Sequence, residues 1–77
     1  MSKTKNKINY IKMMFPKGTR IELVEMNDQQ AVPPGTMGTV QFVDDAGTIH
    51  MNWDNGRSLG LIYGEDNFIR RGLSYDS

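Results

Sequence analysis

Asp44, Asp45, His50 and Asp54 are the residues of this chain whose types and spacing come closest to a reactive site. A histidine among carboxylates can ligate a divalent metal or act with an acid in proton transfer. Asp44 and Asp45, however, open the segment Asp44-Asp45-Ala46-Gly47, a turn in which aspartate bonds to nearby backbone amides. His50 sits between Ile49 and Met51 and points away from the apolar face those two form. A Ser58, His50 and Asp54 triad fails because no strained turn presents the serine and no oxyanion hole is evident. Gly35-Thr36-Met37-Gly38 lacks the Gly-Lys-Ser/Thr ending of a phosphate loop, and a strand rather than a helix follows it. No catalytic residue, metal ligand or cofactor is assigned, and the expectation is a protein without enzymatic activity.

The remaining chemistry is that of binding. Trp53 ends an apolar strand face, where it serves the core or, at the rim of a barrel, a binding groove. Tyr63, Tyr10 and Phe68 are the other aromatics able to line such a groove. Pro33 and Pro34 mark a long loop, Asn27 to Gly35, and long loops are where function concentrates. Acids at Glu25, Asp28, Asp44, Asp45, Glu65 and Asp66 form a rim that favours a basic partner segment. Against them stands an N-terminal cluster of Lys3, Lys5, Lys7, Lys12, Lys17 and Arg20, with no acid before residue 21.

That asymmetry is hidden by a net charge of zero. Residues 1–20 carry +6, residues 21–69 carry −7, and residues 70–77 carry +1. A basic arm thus precedes an acidic body, and the two face different partners or each other. Nucleic-acid binding needs cations that track phosphates, so it would use the arm and not the acidic body.

The elements that position these residues follow from hydropathy and turn chemistry. Met1 to Lys7 is polar and reads as a mobile arm. Ile8, Ile11 and Phe15 have helical spacing, and Pro16 stops the helix. Thr19 to Met26 is a strand with Ile21 and Leu23 inward. Thr39 to Val43 is the next, with Val40 and Phe42 on one face, and Thr48 to Trp53 follows with Ile49, Met51 and Trp53 on one face. Asp54-Asn55-Gly56 makes a tight hairpin into Ser58 to Ile62, where Leu59 and Leu61 point inward. Tyr63 to Asp66 is a turn or a single helical turn, and Phe68 to Arg70 a short closing strand. Gly38 and Gly60 fit bends or bulges where a small sheet curls.

The pattern predicts a mainly β fold: a small five-stranded SH3-like barrel with a basic N-terminal arm or short helix. An OB-fold needs a helix between its third and fourth strands, for which there is no room. The domain limits are an arm or helix at 1–14, the barrel at 15–72 and a tail at 73–77. With 77 residues and no cysteine, the chain has one small core and no disulfide or thiolate site to support it. Neither a membrane span nor a signal peptide is present, so the expected location is the cytoplasm.

Gly35-Thr36-Met37-Gly38-Thr39-Val40, with Val43, Gly47, Ile49 and Met51, resembles the glycine-and-valine hairpin of KOW modules. With Trp53-Asp54-Asn55-Gly56 and the Gly64 to Phe68 segment, it is similar to the peptide-binding SH3-like domains of the Mind-bomb/HERC type. The nearest resemblance is to a family of small uncharacterised SH3-like domains of bacteria, phages and mobile elements. It is carried by Phe15 to Arg20, Pro33-Pro34-Gly35-Thr36, Gly38-Thr39-Val40, Val43-Asp44-Asp45, Gly47, Ile49-His50, Trp53 to Gly56 and Leu59-Gly60-Leu61. That family has no established activity, so it lends no site residues.

The functional expectation is a non-catalytic module that binds a protein or peptide with a basic segment. Its contact residues would be Trp53, Tyr63, Asp44, Asp45, Asp28, Pro33 and Pro34. The alternatives are nucleic-acid binding through Lys3, Lys5, Lys7, Lys12, Lys17 and Arg20, or an acidic, phage-type antagonist of a host nucleic-acid-binding protein. Self-association is open, and no membrane partner is expected.

Overall fold

Apolar residues at alternate positions drive the strands into one antiparallel sheet, and the sheet curls around its apolar inner face. The computed structural model describes residues 3–26 and 32–73. A helix, α1 (Lys3–Met14), is followed by β1 (Thr19–Glu25), β2 (Met37–Val43), β3 (Thr48–Trp53), β4 (Leu61–Ile62) and β5 (Asn67–Leu73). The strand order is β4-β3-β2-β1-β5. This curled half-barrel with a helix at its N-terminal end is mainly β and consistent with a small SH3-like barrel.

The core is built from the residues that alternation picks out. Ile21 and Leu23 of β1, Val40 of β2, Ile49, Met51 and Trp53 of β3, and Leu61 of β4 are all buried. Val32 and Met26 close one end, and Ile11 and Phe15 seal another. The buried Thr19 hydroxyl donates to the Pro16 carbonyl at 2.7 Å, which offsets the cost of removing it from water. Gly47 and Gly56, both with φ near +90°, close the β2–β3 turn and the Trp53–Arg57 hairpin in a backbone region that favours glycine.

Several expectations need correction. Lys3 to Lys7, read as a mobile arm, forms the first turns of α1, which buries Ile11 and half-buries Ile8. β4 is only Leu61–Ile62, because the Leu59 carbonyl turns to the Trp53 indole instead of to a neighbouring strand. β5 is longer than Phe68 to Arg70 and pairs with β1 from Asn67 to Leu73. Gly38 is not a bulge position: a Cβ there would lie 2.5 Å from Trp53 Cε3, so its small size admits the indole ring. The register shift in β2 lies between Val40 and Phe42 instead. Val40 faces Met51 and Phe42 faces His50, leaving Gln41 without a partner across the ladder. This bulge turns Phe42 outward to 52 % exposure while Val43 packs against the core.

Candidate functional site

Of the four residues with the most reactive appearance only Asp44 and His50 meet; Asp45 and Asp54 are engaged elsewhere. Asp44 Oδ1 accepts from the amides of Ala46 (3.0 Å) and Thr48 (2.9 Å), fixing the β2–β3 turn. Its Oδ2 lies 2.8 Å from His50 Nε2. The His50 hydrogen bond, and then those from the Thr48 and Ala46 amides, hold the Asp44 carboxyl below the usual carboxylate range. Asp45 pairs with Lys12 at 2.8 Å, tying α1 to the hairpin. Asp54 receives a two-point fork from Arg20, at 2.9 and 2.7 Å, and Arg20 Nη1 also donates to Thr39 Oγ1. That fork lowers the Asp54 pKa and raises that of Arg20. Among the described residues, no group of three or more acids and histidines lies close enough to hold a metal.

Trp53, one of the expected contact residues, is a core residue. It is 1 % exposed, and its Nε1 donates to the Leu59 carbonyl at 2.8 Å. Tyr63 is half-buried in an aromatic cluster with Tyr10, Phe15 and Phe68, at centroid separations of 6.2, 6.0 and 6.5 Å. A hydrogen bond with Tyr10 pushes the Tyr63 phenol up. Pro33 and Pro34 are exposed, and the Pro33 carbonyl accepts from the Thr36 amide and hydroxyl. Asp28 lies outside the described residues.

The cations are spread out as well. Lys3, Lys5, Lys7 and Lys12 belong to α1, Lys17 to the turn after it and Arg20 to β1. Lys12 and Arg20 are neutralised by Asp45 and Asp54, whereas no ion pair is formed by Lys7 or Lys17 among the described residues.

Of the expected contact residues only Lys17 lines an open groove on the sheet. An open groove of about 560 Å³ runs over the outer face of the sheet, lined by Lys17, Gly18, Thr39, Val40, Gln41, Phe42 and Asn52. A smaller hollow of about 200 Å³ adjoins it between the end of α1 and β2, and shares Lys17, Gln41 and Phe42 with it. Phe42 therefore forms part of the wall of both. Its ring stacks on His50 with centroids 4.3 Å apart and planes 10° from parallel. Asp44, bonded to the edge of that imidazole at Nε2, helps to hold the ring in the stack. The side-chain amides of Gln41 and Asn52 are exposed and make no hydrogen bond among the described residues.

Sequence reasoning missed Phe42 because strict alternation from Val40 sends it inward. The available signal was Val43, whose apolar side chain gives β2 a second way to fill the core if one residue is skipped.

A family model described as a domain of unknown function (DUF4314) matches residues 4–71. The chain belongs to that family. The DUF4314 match takes in nearly all of α1 and every strand through most of β5, so both hollows and the Phe42–His50 stack lie inside it. Its description names no activity, and DUF4314 membership therefore assigns no role to any of these residues. No curated protein and no solved structure matches the chain.

Proposed function

We propose that this protein is a non-catalytic binding module that holds an extended segment of a partner protein in the outer-face groove, with Phe42 at the centre of the contact. The observation that carries this reading is the exposed Phe42 ring, stacked on His50 and walling two adjoining hollows. Aromatic anchors in shallow grooves supply a large share of the energy in peptide recognition. The unbonded amides of Gln41 and Asn52 offer donors and acceptors to a partner backbone in the same groove. Asp45 and Asp54 are taken up by Lys12 and Arg20, and the Asp44–His50 pair serves the turn and the Phe42 stack, which supports a binding role over a catalytic one. The sequence resemblance points to an accessory protein of a bacterium, phage or mobile element.

The test is affinity capture from a nuclease-treated bacterial lysate with wild-type protein and Phe42→Ala. A protein retained by the wild type and lost from the variant supports the reading. Capture that ignores the substitution, or that disappears with nuclease alone, overturns it.

A second reading rests on α1, whose lysines at 3, 5, 7 and 12 are accompanied by no acid on the helix. Nucleic-acid binding through this helix would be non-specific and fall steeply with salt. Lys7→Gln with Lys3→Gln and Lys5→Gln would weaken it while leaving the groove intact.

A further inference from the structure

The charges around the groove specify the partner further, an inference that rests on the peptide-binding reading above. Arg20 is neutralised by Asp54 at 2.7 Å and Lys12 by Asp45 at 2.8 Å. Lys17 lines both hollows and pairs with no acid among the described residues. It belongs to the first twenty residues, which hold six cations and no acid. Although the body of the chain is acidic, the groove itself thus carries an uncompensated positive charge beside an aromatic ring. Gln41 and Asn52 are neutral and polar, so they impose no charge of their own.

We propose that the groove receives an acidic, apolar segment of a partner protein: an aspartate or glutamate on Lys17 and a neighbouring apolar side chain against the open face of Phe42. Burying an apolar side chain there removes the exposed part of the Phe42 ring from water. The carboxylate next to it meets a cation whose other interactions are with solvent, so no existing ion pair has to break. A nucleic-acid strand fits less well. It brings one phosphate with every nucleotide, whereas this groove offers one unpaired cation among its described lining residues.

A display library of random twelve-residue peptides, selected on the wild-type protein, tests this directly. The expected peptides carry Asp or Glu beside Leu, Phe or Trp. Phe42→Ala weakens them by about tenfold or more. Lys17→Glu weakens them similarly and, used as bait itself, selects peptides with Lys or Arg in the acidic position. Phe42 and Lys17 are both exposed, so both variants keep the wild-type circular dichroism and melting profile; should Phe42→Ala unfold, Lys17→Glu still decides. Peptides that depend on Phe42 but show no acidic preference, and that ignore Lys17→Glu, overturn this inference and leave the peptide-binding reading standing. Recovery of no peptide, or of peptides indifferent to Phe42→Ala, overturns both. Binding of a twenty-nucleotide oligothymidylate that is lost in Phe42→Ala and Lys17→Glu also overturns both, in favour of single-stranded nucleic acid.

Discussion

Gly38→Ala asks whether Trp53 is a fixed part of the core. The added Cβ falls 2.5 Å from Trp53 Cε3 and 3.0 Å from Met51 Cε, both inside ordinary van der Waals separation. Met51 can swing its terminal methyl aside, but the indole cannot turn. It is fully enclosed, and its Nε1 is bonded to the Leu59 carbonyl at 2.8 Å. The strain must move β2 or break that bond, a cost of about 2 kcal/mol by analogy with other overpacked cores. A domain of this size has roughly 4–12 kcal/mol in total, so the melting temperature should fall by about 8–16 °C. Trp53→Phe alone costs about 2–3 kcal/mol, since it leaves a cavity and an unpaired carbonyl. It also takes away the atom that the new methyl strikes. The double variant should therefore lose about 1 kcal/mol less than the sum of the two single losses. Urea unfolding followed by far-UV circular dichroism measures all four proteins, which tryptophan fluorescence cannot do because Trp53 is the only tryptophan. A Gly38→Ala protein within about 0.5 kcal/mol of wild type, or an additive cycle, would refute the fixed-ring argument.

Asp44 and Asp54 both have carboxyl groups held below their ordinary range, first by hydrogen bonds from His50 and Arg20 respectively. A depressed folded pKa adds stability above the unfolded value of about 4, and that stability is lost as the pH falls through the folded values. The urea midpoint should drop between pH 5 and pH 2, and Asp44→Asn with Asp54→Asn should flatten the drop; an equally steep fall in the double variant contradicts this assignment. Arg20→Met breaks a part-exposed fork and costs no more than about 1 kcal/mol, with a smaller difference from wild type in 1 M salt. A loss that does not shrink with salt would show that packing of the Arg20 stem dominates. Ile11→Ala should cost about 2–4 kcal/mol because its side chain is enclosed between α1 and the sheet. Removal of residues 1–14 should abolish cooperative melting; a truncated chain that melts as sharply as the whole would make α1 an appendage.

The inner face of the barrel was readable because burial and period agree at Ile21, Leu23, Val40, Ile49, Met51 and Leu61. Gly47 and Gly56 announced their turns, since few other residues accept their backbone angles. The start of α1 was not readable: Lys3 to Lys7 has no apolar face of its own, so its helicity follows from the docking of Ile11 and Phe15 one and two turns later. The limits of β4 were hidden by a tertiary bond, the Trp53 indole drawing the Leu59 carbonyl off the ladder. Gly38 looked like a bend because the sequence shows a missing side chain and not the ring that fills its place.

The Gln41 bulge connects fold and surface. Val40 and Val43 lie three positions apart, and a regular strand cannot put both on its inner face. Skipping one residue resolves the conflict, and the step places Gln41 and Phe42 together on the outside. The core is complete without Phe42, which instead pairs with His50 across the ladder on the outer face. Its ring is nevertheless supported, because His50 stacks beneath it and Asp44 holds His50 from the hairpin turn. The histidine and aspartate that looked most like a reactive pair therefore hold an aromatic surface in place, the surface on which the proposed binding role rests.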